Sequence, residues 1–214
     1  MPIKVAILID GEWFRIALLE KLRSKLPDEV TAEVVYKNAK LALEKGESLI
    51  RIFYYDSEPH EGNTRNPISK KTVPCISPEK ISARRRFFAE LGQMPFIALR
   101  RGIVKPRGWV LRMSYLKKLV ESGSTVPALT ADDMRLSLTQ KGVDMRIGID
   151  VATLSLKKQV DRIILISGDL DMIPAMKLAR REGVQVAIVK VVGKKISTEL
   201  VEDSDLVRQI KLTV

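Results

Sequence analysis

The stretch Asp161-Arg-Ile-Ile-Leu-Ile-Ser-Gly-Asp-Leu-Asp-Met-Ile-Pro174 decides how the rest of the chain is read. Ile163 to Ile166 is an unbroken apolar run, the pattern of a parallel strand buried on both faces. Ser167-Gly168 ends the strand, and Asp169 stands where the next helix begins. Met172, Ala175, Met176 and Ala179 recur at helical spacing, with Pro174 tolerated because it falls in the first turn. Gly183 stops that helix, and Val184 to Val189 supplies a second apolar strand. A strand-helix-strand unit results, with Asp169 and Asp171 at the carboxyl end of its first strand. Ligands of open α/β sheets collect at that edge.

The same grammar recurs toward the N-terminus. Lys4 to Ile9 reads as another fully buried strand and ends at Asp10-Gly11, followed by an amphipathic helix through Trp13, Phe14, Ala17, Leu18 and Leu22. Over residues 27–47 a strand at Val30 to Tyr36 competes with a helix through Ala32, Val35, Ala39, Ala42 and Leu43; the helix is preferred. Ser48 to Asp56 is a strand by its β-branched and aromatic content. Residues 57–77 read as a long loop, and Ser77-Pro78 as the start of a helix that turns Ile81, Phe87, Phe88 and Leu91 inward. Phe96 to Met113 reads as a strand pair turning near Lys105-Pro106-Arg107-Gly108. A short helix over Tyr115 to Val120 and a connection over Gly123 to Asp133 follow. Gln140 to Asp144 opens a helix carrying Ile147, Val151 and Leu154, and the tail from Lys194 closes with a helix or an edge strand.

Composition narrows the function classes. With 214 residues and 45% hydrophobic content, the chain suits one well-buried α/β domain with insertions. Cys75 and His60 stand alone of their kinds, which excludes internal disulfides and Cys/His zinc sites. Both read as ordinary loop side chains, in keeping with a reducing, cytoplasmic location. No apolar run approaches a membrane span, and the N-terminus lacks a signal peptide's layout. The net charge of +11 favours an anionic partner, nucleic acid foremost. That charge is concentrated: between Arg84 and Lys118 ten positive residues face Glu90 alone.

The acids carry the chemistry. Asp10 ends one buried strand and Asp169 follows another, so neighbouring parallel strands would bring both to one edge. Asp144 begins a helix, and Asp150 lies at the border of its apolar stripe, roughly 60° from Ile147 and roughly 40° from Leu154. Acids converging without histidine suit a hard cation, Mg²⁺ or Mn²⁺, which serves phosphodiester hydrolysis. Each acid also has a plainer role. Asp144 and Asp169 suit helix N-caps, Asp171 suits a helix dipole, Asp10 suits a turn, and Asp150 suits a solvated face. Asp132 and Asp133 read only as a solvated cap and turn. Joint placement at one edge favours the metal site.

Ile-Asp-Gly-Glu at 9–12, Tyr-Tyr-Asp at 54–56, Lys-Gly-Val-Asp at 141–144, Asp150, and Ser-Gly-Asp-Leu-Asp at 167–171 together resemble the signature of NYN-domain proteins. These belong to the PIN-like superfamily of metal-dependent ribonucleases, and the resemblance runs from Ile3 to about Val189. It implies a PIN-like three-layer α/β/α sandwich with a central, mostly parallel sheet. It also implies Asp10, Asp144 and Asp169 as core metal ligands, Asp171 and Asp150 as supporting acids at the metal, and Asp10, Asp144, Asp169 and Asp171 as the catalytic residues. One domain over residues 1–192 would hold the long loop at 57–77 and a basic strand-pair insertion at about 95–113, with 193–214 packed on it as an extension. Two departures bear on activity: Trp13 stands where the family often has Asn, and Leu170 and Met172 replace its Ser and Phe.

The function expected is a metal-dependent endoribonuclease acting on single-stranded RNA. Arg84, Arg85, Arg100, Arg101, Lys105 and Arg107 would contact phosphates, with Trp109 stacking on a base. A solvated basic face is the plain alternative, and Trp13 and Trp109 suit a core equally well. A regulatory RNA-binding module with a weak or inactive nuclease site is the second reading. A module for a phosphorylated small molecule is the third, disfavoured because no Gly-x-Gly-x-x-Gly or P-loop pattern occurs. Oligomeric state stays open, a homodimer included.

Overall fold

A computed structural model describes residues 1–22, 30–123, 126 and 128–213. Its strands are β1 (Ile3–Asp10), β2 (Glu47–Glu58), β3 (Asn63–Arg65), β4 (Thr72–Pro74), β5 (Ile97–Leu111), β6 (Met134–Lys141), β7 (Arg162–Ile166), β8 (Gln185–Val191) and β9 (Leu206–Ile210). The helices are α1 (Gly11–Leu22), α2 (Ala32–Lys40), α3 (Pro78–Gly92), α4 (Met113–Glu121), α5 (Val143–Leu156), α6 (Ile173–Arg181) and α7 (Thr198–Glu202). No helix among the described residues is long and apolar enough to cross a membrane. Seven strands share one sheet in the order β6-β5-β2-β1-β7-β8-β9, and β3 pairs with β4 apart from it.

Two compact units divide the chain, the first comprising Met1–Asp56, Arg85–Gly102 and Gly142–Val214. Here β1 runs parallel to β2 and β7, β7 to β8, and β8 to β9. Alternation along β1 explains why its apolar run is unbroken. Val5, Ile7 and Ile9 face a core with Phe14 and Leu18 of α1, Val35 of α2, and Phe88 and Leu91 of α3. Ala6 and Leu8 face a second core with Ile147 and Val151 of α5, Met176 and Ala179 of α6, and Leu200 of α7. Helices therefore cover both faces of a mostly parallel sheet, an α/β/α sandwich consistent with the PIN-like class. Truncating a side chain such as Ile7, which is fully buried, costs about 2–5 kcal/mol.

Of the two readings of residues 27–47, the helix is found. Thr31 caps α2 by accepting from the Val34 N–H, and residues 23–29 lie outside the described part. Gly183 ends the helix region after α6 with φ +78°, as its position suggested. The tail supplies both a short helix, α7, and an edge strand, β9.

The second unit, Ser57–Arg84 and Ile103–Lys141, corrects two expectations. The strand pair expected over Phe96 to Met113 is instead one strand, β5, of 15 residues. Pro106-Arg107-Gly108 is a bulge rather than a turn. Pro106 pairs with Leu138 and Gly108 with Ser137, so Arg107 is the extra residue, and Gly108 takes φ +104°. The antiparallel partner is β6, in a segment to which the sequence reading assigned no strand. The loop expected over 57–77 is not structureless: it holds the β3–β4 hairpin, tightened where Asn66 Oδ1 accepts from the Ile68 and Ser69 N–H groups.

Candidate metal centre

The pairing of β1 with β7 places Ile9 beside Ile166, so Asp10 and Ser167 leave the sheet at the same carboxyl edge. Beyond Ser167 the chain turns tightly. The Asp169 N–H donates to Ser167 Oγ at 3.1 Å, and Asp169 Oδ1 accepts from the Asp171 N–H at 3.0 Å. This caps a 3-10 turn, Leu170–Met172, from which α6 continues. The predicted N-cap role of Asp169 is thus real, but only one of its oxygens serves it. Asp144 comes from a separate element, the second residue of α5, which starts after Gly142 in a left-handed conformation at φ +80°.

Asp144, Asp169 and Asp171 each place a carboxylate oxygen within 4.8 Å of the others. Asp169 is half-buried and the other two are exposed, so the group is open to a ligand. Asp144 is raised above the ordinary Asp range by partial burial, then by the charges of Asp169 and Asp171. No ion pair among the described residues that the structure details joins any of the three. Oxygen-only donors, mutually repelling and from two elements, fit a hard divalent cation and do not fit a soft one.

Asp10 stands outside this group of three, linked to it through Ser167. Its Oδ2 accepts from Ser167 Oγ at 3.4 Å, and its Oδ1 accepts from the Trp13 N–H at 3.1 Å. Burial pushes its carboxyl up to about 6, with Asp56 and Glu12 adding to the rise against the lowering by its two donors. Behind it, Tyr54 lies where a side chain on Gly11 would be, since a Cβ there would fall 2.5 Å from the ring. The Tyr54 hydroxyl donates to buried Asp56 at 3.3 Å, and Arg15 meets the same carboxylate at 3.4 Å.

Asp150 is also not one of the three. Its Oδ2 accepts from Arg100 Nε at 2.7 Å and from the Tyr55 hydroxyl at 2.8 Å. The sequence reading gave no role to Arg15, Tyr54, Tyr55, Asp56 or Ser167 as individuals. Period-two alternation in Tyr54-Tyr55 was the available signal, because it sends the two phenols to opposite faces of β2.

The expected RNA-contacting residues fall into different surroundings. In the first unit, Arg100 is engaged by Asp150, and Arg101 lies over the Phe88 ring at 5.2 Å. Arg84 is half-buried and Arg85 exposed along α3. In the second unit, Lys105 and Arg107 are exposed on β5. The half-buried Trp109 donates its indole N–H to Thr64 at 3.2 Å. A cleft of about 410 Å³ in that unit is lined by Pro59, His60, Ile103 and Lys105 among others.

The departures at Trp13, Leu170 and Met172 separate in the same way. Met172 is 2% exposed and fills the second core, whereas Leu170 is 45% exposed. Trp13 packs against Gly168, where a Cβ would fall 2.3 Å from its Nε1, and Lys194 lies over its ring at 5.8 Å.

Residues 111–211 match the family model of the NYN domain, a domain of the PIN-like ribonuclease superfamily. The matched stretch includes Asp144, Asp150, Asp169 and Asp171 and excludes Asp10. Among solved structures, the chain resembles a protein of unknown function from Vibrio parahaemolyticus, with a TM-score of 0.52 and 17% identity over 98% of this chain and 94% of that one. At that identity the likeness concerns the fold alone. No curated protein matches the chain.

Proposed function

From the match of residues 111–211 to the NYN family model, we propose that the chain is a metal-dependent endoribonuclease that hydrolyses phosphodiester bonds of single-stranded RNA. The observation that carries this reading is the approach of Asp144, Asp169 and Asp171 to one another without a cation among their partners. These three would hold Mg²⁺ or Mn²⁺. Such an ion supplies charge for the phosphoryl oxygens and makes water a nucleophile near neutral pH.

The chain's own groups do the rest. Asp169 is fixed by its bond to the Asp171 N–H, which leaves its other oxygen as the one that would hold the ion. Asp10, with its carboxyl near 6, holds a proton in part of the population at neutral pH and exchanges it at Oδ1 or Oδ2. Ser167 orients that carboxylate through Oδ2. The functional domain then extends from Ile3, since β1 supplies Asp10, beyond the matched segment. Arg84, Arg85, Arg101, Lys105 and Arg107 supply phosphate contacts, and Trp109 a base contact.

A second reading is favoured by Trp13. Its indole occupies the space against Gly168, beside Asp169, where the family's Asn would leave a polar group. On this reading the chain binds RNA and cleaves it weakly or not at all. Labelled single-stranded RNA incubated with the purified protein, with Mn²⁺, with Mg²⁺, and with EDTA, decides between them. Metal-dependent cutting that EDTA abolishes supports the enzyme. Firm binding without cutting supports the module.

A further inference from the structure

Asp144 and Asp150 share α5, six residues and about 9 Å apart along its axis, yet their surroundings differ completely. Asp144 approaches two other acids. Asp150 receives Arg100 Nε at 2.7 Å, Arg100 Nη2 at 3.4 Å and the Tyr55 hydroxyl at 2.8 Å, so both its oxygens already have donors. Tyr55 is fully buried on β2, and the Arg100 guanidinium lies 4.9 Å over the Phe53 ring on the same strand. A cationic group bonded to both oxygens opposes a second cation at the same carboxylate.

We propose that Asp150 is a positioning residue: with Arg100 and Tyr55 it locks α5 against the sheet so that Asp144 meets Asp169 and Asp171. The inference rests on the metal-site reading above and names what holds that site in shape. Apolar contacts from Val143, Ile147, Val151 and Leu154 choose which face of α5 turns inward. They do not choose its rotation or axial position closely, because dispersion contacts have little directionality. Three hydrogen bonds, two of them to an ionised pair, do so. Asp144 must reach across to a turn on another element, and a shift of the helix moves its carboxylate directly. Arg100 accordingly braces the helix rather than gripping RNA.

The test is Mn²⁺ affinity, read by calorimetric titration, for the parent and for Asp150→Asn, Arg100→Gln, the double variant and Tyr55→Phe. Circular dichroism and metal-free melting confirm the fold, and Tyr55→Phe, which keeps the ring, carries the test if a charge variant does not fold. A brace predicts weaker binding by about tenfold for Asp150→Asn and for Arg100→Gln alike. The double variant should be no weaker than the weaker single one, because both remove the same network. Tyr55→Phe should weaken binding by a smaller factor in the same direction. If Asp150 were itself a ligand, removing its competing cation in Arg100→Gln would tighten Mn²⁺, and that sign overturns the proposal. Variants that melt lower but bind Mn²⁺ like the parent overturn it too. A parent that binds no Mn²⁺ removes the metal-site reading, and the brace falls with it.

Discussion

Two groups of acids in the first unit obey opposite rules. Glu47 begins β2, with its side chain 1% exposed, and it is fully countered. Arg162 Nη1 reaches it at 2.5 Å, and Arg208 reaches it at 2.5 and 2.9 Å while also donating to the Ala42 carbonyl. Burial would raise that carboxyl, but the bonds from Arg208, Glu44 N–H and Arg162 win and hold it below the ordinary Glu range. At the carboxyl edge, Asp144, Asp169 and Asp171 crowd together, and Asp144 is pushed the other way. An acid that serves stability brings its own counter-charge. Acids grouped without one carry a cost that a cation from outside relieves.

The largest effect expected from this contrast is on chemistry. Asp144→Asn, Asp169→Asn and Asp171→Asn should each lower RNA cleavage by orders of magnitude, while metal-free melting stays level or rises because repulsion has been removed. Mn²⁺ should raise the parent's melting temperature by binding the native state, and Asp169→Asn should lose most of that rise. A metal response preserved in Asp169→Asn would break the contrast, as would cleavage that survives all three substitutions.

The mirror experiment belongs to the other acid. Glu47→Gln leaves Arg162, 10% exposed, without its counter-ion, and leaves Arg208, 4% exposed, with only the more exposed Glu44 at 3.3 Å. A loss of about 3–5 kcal/mol in chemical denaturation is expected, with the Mn²⁺ response of the folded fraction intact. Little loss of stability would mean that the network at Glu47 is not structural.

How much of this was readable beforehand follows the range of the interactions. β1, β2, β7 and β8 were legible because burial on both faces writes a continuous apolar run. Asp169 and Asp171 were legible as neighbours because one tight turn fixes them. The partners of Asp150 were not: Arg100 lies fifty residues away, and nothing in the helical spacing announces it. Glu47 was illegible for the same reason, since Arg162 and Arg208 reach it from two distant strands. Pro106-Arg107-Gly108 misled because a turn and a glycine bulge use the same residues. The missed partner, β6, did carry a signal, with Met134, Leu136 and Leu138 alternating against Arg135, Ser137 and Thr139.

A smaller, pH-dependent effect sets Asp10 against Glu47. Asp10 is raised from 3.8 to about 6 in the folded chain, so the native state holds its proton more tightly than the unfolded state. Its stabilising contribution is full below about 4 and disappears as pH rises through 6, a swing of up to about 3 kcal/mol. Glu47 is lowered, so its contribution is present above its ordinary value and disappears on acidification. In metal-free urea titrations, Asp10→Asn should gain stability relative to the parent as pH goes from 4 to 7. Glu47→Gln should lose relative stability as pH rises out of the acid range. If the two difference curves slope the same way, the two carboxylates do not differ as described.

The smallest effect extends the rule from anions to cations. Arg100 is paired with Asp150, so in EDTA its replacement by Gln should leave the salt dependence of RNA binding nearly unchanged. Lys105 and Arg107 are exposed on β5. Replacing each by Ala should weaken binding to all single-stranded sequences alike and lower the slope of log affinity against log salt by about 0.7 per contact. Keeping EDTA present separates this from metal affinity, which Arg100→Gln is expected to change. A slope that falls with Arg100→Gln would make that guanidinium a phosphate ligand despite its partner. A slope indifferent to Lys105 and Arg107 would leave the β5 cations as a solvated face, and the rule that an uncountered charge awaits an outside partner would then hold for the acids alone.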